Sequence, residues 1–158
     1  MSSTDTRTYS LNDLHGEISD GVTTSSILKK MEGPMSNILI VEDHKHMARM
    51  LSYMIMANGH QAEVVSDGQE ALKKLNDTDV DLLITDMYMP KMTGLSLVQQ
   101  VRKTGTNKEI PVIMLTVSGD EGTRQLAHQS GTDCFLRKPV RIADLHQAVD
   151  ALLEDSVQ

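Results

Sequence analysis

The sequence has only one cysteine, Cys134, so its 158 residues cannot form an internal disulfide. Lack of a disulfide framework is typical of chains that fold in a reducing compartment such as the cytosol. No apolar run approaches the roughly 18 residues of a membrane span, and the N-terminus lacks the charged and apolar regions of a secretory signal. These absences predict a cytoplasmic protein with no membrane partner.

Basic residues are in the minority as well. Fifteen Lys and Arg stand against 22 Asp and Glu, which gives a formal net charge of -7. A nucleic-acid-binding surface usually has an excess of positive charge, so this balance argues against a nucleic-acid partner. Apolar residues make up 39% of the chain, which is enough to bury the core of one compact domain.

The composition changes near Met35. Residues 1–34 are rich in Ser and Thr, and their apolar residues form two short stripes at helical spacing. The stripes consist of Leu11, Leu14 and Ile18, and of Ile27, Leu28 and Met31. Helices this short are marginal in water unless they pack on something. We expect residues 1–34 to be an N-terminal extension that is flexible or docks on a partner or on the chain itself, followed by one domain over residues 35–155.

From Met35 onward, short apolar runs alternate with amphipathic segments. The runs are predicted strands at 38–41, 61–65, 80–85, 110–115 and 134–136. Each is followed by apolar residues at helical spacing. Five such alternations predict an α/β fold, a five-stranded parallel sheet with helices on both faces. In one compact domain this pattern favours the doubly wound, flavodoxin-like strand order 2-1-3-4-5.

Local signals mark the ends of several predicted helices. Asn58-Gly59 and Gly105 are predicted stops, because glycine readily adopts the left-handed conformation that closes a helix. Segments 66–69 and 118–121 resemble capping boxes, in which a side-chain oxygen accepts a hydrogen bond from the first turn. Ser118 is therefore expected to cap the fourth helix.

Polar residues follow four of the strands at the edge where such sheets bind ligands. Glu42 and Asp43 follow the first strand, Asp86 the third, Thr116 the fourth and Lys138 the fifth. The predicted strand order places the first and third strand ends side by side, so the three carboxylates should converge. They would repel one another without a cation or a proton, and an all-oxygen site suits Mg²⁺ or Mn²⁺.

These groups have the chemistry needed to accept a phosphoryl group. A carboxylate nucleophile would face a divalent ion, the ammonium of Lys138 and the hydroxyl of Thr116. All three stabilise the negative charge that develops during the transfer.

Together the motifs resemble the receiver domain of two-component response regulators. The similarity is carried by ILIVED at 38–43, DMYMPKMTG at 86–94, Thr116 after its apolar strand, and Lys138-Pro139. Each motif alone is common, but all of them at strand ends in this order are specific. The resemblance covers roughly residues 36–153. It implies a phosphoacceptor in a two-component or phosphorelay system, whose donor is a histidine kinase or a histidine phosphotransfer protein.

The resemblance also implies roles for individual residues. Asp86 would accept the phosphoryl group, and Lys138, aimed by a cis bond to Pro139, would contact its oxygens. The implied metal ligands are Asp43, Asp86, Glu42 (largely through water) and the backbone carbonyl of Tyr88. Thr116 would move toward the phosphoryl group, and Phe135 would be the coupled switch aromatic. Gly94 would allow a sharp turn after the acceptor.

Only residues 139–158 follow Lys138, which predicts a stand-alone receiver that signals by protein contact, as a monomer or a phosphorylation-dependent dimer. By resemblance, its output face is the fourth helix, fifth strand and fifth helix. Candidate surface residues there are His128, Arg137, Arg141 and Gln147. We do not expect an enzyme beyond catalysis of its own phosphoryl transfer and slow self-dephosphorylation.

Two other functions stay open at this point. One is a Mg²⁺-dependent phosphatase that passes through an aspartyl phosphate. Such enzymes often need an aspartate two residues after the nucleophile, where this chain has Tyr88. The other is a phosphorylation-independent adaptor that binds its partner through residues 1–34.

Overall fold

The computed structural model describes residues 7–8, 32–103 and 107–156. The strands in these ranges are β1 (Arg7–Thr8), β2 (Asn37–Val41), β3 (Gln61–Val65), β4 (Leu82–Asp86), β5 (Val112–Thr116) and β6 (Cys134–Arg137). The helices there are α1 (Lys45–Ala57), α2 (Gly68–Asp77), α3 (Gly94–Lys103), α4 (Glu121–Ser130) and α5 (Ile142–Ser156). None of these described helices is long and apolar enough to cross a membrane.

The strands form one sheet in the order β1-β3-β2-β4-β5-β6. Strands β2 to β6 pair in parallel. They are the five predicted strands, and their arrangement is the predicted order 2-1-3-4-5. The central strands β4 and β5 are buried at every position, as the continuous apolar runs predict for a sheet covered on both faces. The predicted fold class is therefore confirmed.

Two clusters of buried apolar side chains lie on opposite faces of the sheet. Ile38 and Ile40 of β2 pack in one cluster with residues of α1 and α5. Leu39 and Val41 pack in the other with residues of α2, α3 and α4. Successive side chains of a strand point to opposite faces, so each position of β2 needs an apolar residue. The packing on both faces fixes the strand ends relative to one another.

Strands β4 and β5 each begin two residues later than predicted and end one residue later. Val80 and Ile110 lie just before β4 and β5, yet both are buried in the cluster that faces α2, α3 and α4. Their apolar character is typical of a strand, but here it reflects burial in this cluster and not pairing within the sheet. At the other end, Asp86 and Thr116 belong to the strands themselves, so the regular backbone positions both residues.

The helix boundaries agree with the sequence signals in part. Helix α1 ends at Ala57, with Asn58 as its C-cap and Gly59 at a φ of 85°, which confirms the predicted stop. The capping box of α2 is formed by Asp67 and Glu70 rather than by the residues at 66 and 69. Asp67 accepts a hydrogen bond from the backbone N–H of Glu70, and Glu70 accepts one from that of Ser66.

The prediction that Ser118 caps α4 is wrong. The cap is Asp120, whose Oδ1 accepts a hydrogen bond from the backbone N–H of Thr123 at 2.9 Å. Ser118 instead donates its hydroxyl to the Asp120 carboxylate. A carboxylate is the stronger acceptor for backbone N–H groups at the positive end of a helix dipole. The predicted stop at Gly105 lies outside the described residues.

The N-terminal extension adds a strand to the sheet that the sequence did not predict. Strand β1 pairs antiparallel with β3, with Arg7 opposite Val64 and Thr8 opposite Glu63. The Gln61 N–H and the Val65 carbonyl form hydrogen bonds with residues on the β2 side of β3. Because the backbone groups of successive strand residues point to alternate sides, those of Val64 point to β1. Residues 7 and 8 therefore lie at the edge of the sheet, beside β3. Its two apolar stripes lie outside the described residues.

Replacing Arg7 with proline is expected to speed amide hydrogen exchange at Val64. Proline removes the N–H that the residue opposite Val64 contributes to the pair. Loss of this short pairing should raise the exchange rate about tenfold or more, because each backbone hydrogen bond contributes about 1 kcal/mol. Exchange would be followed by NMR. Arg7→Ala is the control, since it retains the N–H, and equal exchange in the two variants would show that β1 does not protect Val64.

Candidate functional site

Polar residues collect where the parallel strands end. Asp86 and Thr116 are the last residues of β4 and β5, whereas Glu42 and Asp43 follow β2 and Lys138 follows β6. Strand β4 pairs with both β2 and β5, so residues that are far apart in sequence meet at one edge. This is the edge at which the sequence predicts a ligand site.

Three carboxylates converge at this edge. Glu42, Asp43 and Asp86 each place one oxygen within 4.8 Å of the others. Glu42 and Asp86 are only 3% and 9% exposed, whereas Asp43 lies on the solvent side of the cluster. The predicted convergence of the three acids is therefore present in the structure.

Lys138 brings a positive charge to two of these acids. Its Nζ donates a hydrogen bond to Asp86 Oδ2 at 2.7 Å and lies 3.6 Å from Glu42 Oε2. The backbone N–H of Lys138 donates to the Thr116 carbonyl at 2.7 Å, and the Lys138–Pro139 peptide bond is cis. The base of the lysine side chain is thus attached to β5, and its ammonium lies against the acid at the end of β4.

The electrostatics of Glu42 fit a divalent cation. Burial, and then the negative charge of Asp86, raises the pKa of Glu42 to about 7, although Lys138 acts in the opposite direction. Glu42 Oε1 accepts a hydrogen bond from the backbone N–H of His44 at 3.2 Å. Its buried Oε2 has no hydrogen-bond partner in the described part of the chain. A cation beside the three carboxylates would satisfy this oxygen and relieve the repulsion, and oxygen donors suit Mg²⁺ or Mn²⁺.

Thr116 lies at the site, where its hydroxyl is hydrogen-bonded to residues other than Asp86, and its movement toward a phosphoryl group stays a prediction. The side chain is 1% exposed. Its Oγ1 donates to the sulfur of Met87 at 3.7 Å and accepts a hydrogen bond from the Ser118 N–H at 3.2 Å. Within residues 32–103 and 107–156, no hydrogen bond joins it to Asp86. The spacing of motifs contains no signal for the Met87 contact, because it depends on a side-chain conformation.

Gly94 is required for a different reason from the predicted sharp turn. A Cβ at this position would lie 2.1 Å from the Asp86 carbonyl oxygen. The Gly94 N–H also donates to the Met87 carbonyl at 2.8 Å, which folds the loop back onto its start. The positive φ in this loop, 71°, belongs to Lys91, whose ammonium lies 3.3 Å from Asp67 at the start of α2.

The remaining predicted residues lie around this cluster. The side chain of Tyr88 is exposed, whereas Phe135 is half-buried and packs against the cluster on the α2, α3 and α4 face. The Arg124 guanidinium lies 5.8 Å from the centre of the Phe135 ring. The four candidate surface residues, His128, Arg137, Arg141 and Gln147, are all exposed.

Cys134 is half-buried, and burial raises the pKa of its thiol, which disfavours the reactive thiolate.

A doubly wound sheet with an acid cluster and a lysine at the carboxyl ends of its strands is typical of a receiver-type signalling domain. The family model of the response regulator receiver domain matches residues 38–150. The chain therefore belongs to the receiver domain family of two-component response regulators. This confirms the resemblance that the sequence motifs carry.

Individual relatives agree with this assignment. The chain is 36% identical over 122 residues to the transcriptional regulatory protein CpxR of Klebsiella pneumoniae, an alignment that covers 77% of this chain and 51% of CpxR. The chain thus spans about half the length of the curated relatives it matches.

Solved receiver domains have the same fold. The receiver domain of the Francisella response regulator 1452 matches with a TM-score of 0.72 and 30% identity, over 77% of this chain and 98% of that one. The receiver domain of the sensor histidine kinase PA1611 from Pseudomonas aeruginosa, described with a magnesium ion in its active-site cleft, matches with a TM-score of 0.71 and 25% identity. That alignment covers 77% of this chain and 99% of the other.

Receiver domains generally bind Mg²⁺, and we expect this ion to stabilise the protein more at about pH 8 than at about pH 6, because its ligands must be deprotonated. The raised pKa of Glu42, about 7, keeps this carboxyl largely protonated at the lower pH. The metal-free fold should lose stability as the pH rises through this pKa, since the folded state holds the proton more tightly than the unfolded chain. Thermal unfolding with and without Mg²⁺ at both pH values measures both effects.

Glu42→Gln is the control, because glutamine does not titrate while every other ionisable group is retained. The difference between the two pH values should shrink in this variant. A Mg²⁺ effect of equal size at both pH values in the parent protein would contradict the prediction.

Proposed function

We propose that Asp86 is the phosphoacceptor of this receiver domain. Its carboxylate attacks the phosphorus of a phosphohistidine, an O–P bond forms, and the N–P bond breaks as the imidazole leaves with the electron pair. The observation that carries the proposal is the 2.7 Å hydrogen bond from Lys138 Nζ to Asp86 Oδ2 beside two further carboxylates. A nucleophile with an adjacent ammonium can stabilise the charge that develops on the transferred group.

The other site residues have supporting roles in this proposal. Lys138 contacts the phosphoryl oxygens. A bound metal would be held by Asp43, Asp86, Glu42 (largely through water) and the Tyr88 backbone carbonyl. When bound, Mg²⁺ neutralises charge on the carboxylates and on the phosphoryl oxygens. The buried Glu42 Oε2, which accepts no hydrogen bond from the described part of the chain, supports this ligand set.

The proposed signal is the charge that phosphorylation adds, roughly -1.5 to -2 at neutral pH. Thr116 and Phe135 report it to a face formed by α4, β6 and α5. The four candidate surface residues, which lie in or directly beside these elements, are exposed. The proposed donor is a histidine kinase or a histidine phosphotransfer protein in the cytoplasm, and the proposed target is another protein. Catalysis is confined to the domain's own phosphoryl transfer and slow self-dephosphorylation.

Intact-protein mass spectrometry after incubation with Mg²⁺ and acetyl phosphate tests the proposal. The parent protein should gain one phosphoryl group, and Asp86→Asn should gain none. Asp77→Asn is the control, since Asp77 is an exposed carboxylate at the end of α2 and its loss should leave the uptake unchanged.

No mass gain in the parent protein would contradict the proposal. Sustained release of phosphate from a phosphomonoester, with no kinase present, would instead favour a phosphatase.

A further inference from the structure

We propose that Met87 is a positioning residue whose thioether holds the Thr116 hydroxyl in a resting position, away from Asp86. In this position Thr116 Oγ1 lies between the Met87 sulfur and the Ser118 N–H. The strength of the sulfur contact then sets how readily Thr116 turns toward a phosphoryl group. The inference rests on the proposed function, because Thr116 has a phosphoryl group to reach only if Asp86 accepts one.

The contact is sealed from water. Thr116 and Met87 are each 1% exposed, so water cannot replace the sulfur as the acceptor of the hydroxyl proton. A threonine hydroxyl has a single proton to donate. It can donate to Met87 or to a phosphoryl oxygen, and the two states therefore exclude each other.

Met87 is also firmly attached to both strands of the site. Its backbone N–H donates to the Leu115 carbonyl at 2.9 Å and to Asp86 Oδ1 at 3.1 Å. Its carbonyl accepts a hydrogen bond from the Gly94 N–H. The backbone of this one residue thus contacts the acceptor carboxylate and the end of β5, while its side chain contacts the hydroxyl that follows Leu115.

A thioether suits such a resting contact because it is a weak acceptor. A charged phosphoryl oxygen accepts a much stronger hydrogen bond, so phosphorylation can draw the hydroxyl away. Leucine at position 87 would have a similar volume but would leave the buried hydroxyl proton without an acceptor. The resting state would then be less favourable, and the state that faces the phosphoryl group would form more readily.

The test is the affinity of the full chain for beryllofluoride, a phosphoryl mimic, measured by calorimetry with saturating Mg²⁺. Met87→Leu should bind it about 3- to 10-fold more tightly than the parent protein, because a buried donor loses its acceptor in the resting state only. Met89→Leu is the matched control and should bind as the parent does. Met89 Sδ lies 3.9 Å from the Thr85 hydroxyl, which also donates to the Asp86 carbonyl at 3.0 Å.

A Thr116→Val background distinguishes the proposed positioning role of Met87 from a merely structural one. There the hydroxyl is absent, so Met87→Leu should no longer change the affinity. Thermal unfolding checks that each variant folds. If Met87→Leu does not fold, Met87→Ile, which also lacks the sulfur, takes its place.

An unchanged affinity in Met87→Leu, or a gain that persists in the Thr116→Val background, would overturn the inference. Failure of the parent protein to bind beryllofluoride and to take up phosphoryl from acetyl phosphate would instead refute the proposed function.

Discussion

Gly94→Ala should destabilise the fold by about 3 kcal/mol or more and misplace the acceptor, because overpacking against atoms that cannot move is among the costliest substitutions. The added Cβ would lie 2.1 Å from the Asp86 carbonyl oxygen and 3.0 Å from the Met87 Cα. These are backbone atoms of β4 and the residue after it, so no flexible side chain can make room. Urea unfolding measures the loss of stability.

The same substitution should slow phosphoryl uptake by about 100-fold, since a shift of about 1 Å at a reacting group is enough for such an effect. Gly122→Ala is the matched control. Gly122 lies in the first turn of α4, where a Cβ would approach only the Asp120 side chain, at 3.2 Å. Alanine is a better helix former than glycine by about 1 kcal/mol, which offsets the crowding of the Asp120 side chain, so the control should remain close to the parent in stability. An unchanged unfolding midpoint in Gly94→Ala would contradict the close approach.

Lys138→Met is expected to reduce phosphoryl uptake by about 100- to 1,000-fold, the usual consequence of removing a group that stabilises developing charge. It should also lower the free energy of unfolding without metal by about 2–4 kcal/mol, because it leaves buried carboxylates without their counter-charge. The side chains of Lys138 and Glu42 are only 14% and 2% exposed, so solvent screens these charges weakly. Uptake is followed by mass spectrometry and stability by urea unfolding.

Lys74→Met is the control for this variant. Lys74 forms an ion pair with Glu63 away from the acid cluster, and both side chains are about a quarter to a third exposed. An ion pair of this kind contributes about 1 kcal/mol or less, so the control should retain uptake and most of the stability. Uptake in Lys138→Met equal to that of the control would contradict the role proposed for the ammonium.

The residues that meet at the site could be predicted from the sequence, because their meeting depends on the strand order and on where each strand ends. Asp86 and Thr116 each end an apolar run, and Glu42 directly follows another. Parallel strands in a known order bring such ends together without any knowledge of side-chain conformation. The same reasoning does not extend to the caps. A serine and an aspartate lie at the start of both α2 and α4, and which of them caps the helix depends on the loop backbone.

Strand β1 could not be predicted from local pattern. Arg7 and Thr8 lie in a polar segment with no apolar run, and they pair with residues more than fifty positions away in sequence. Two residues carry too little information to distinguish a strand from a loop. Their pairing follows from the unpaired backbone groups of Val64 at the edge of β3.

The succession of apolar runs and polar strand ends was sufficient to predict the doubly wound sheet and the meeting of three acids with a lysine, because burial on both faces and strand order leave few alternatives. The role of Gly94 and the direction of the Thr116 hydroxyl emerged only from the folded chain. Both depend on contacts closer than 4 Å between atoms of separate elements, and such contacts arise only once both faces of the sheet are packed.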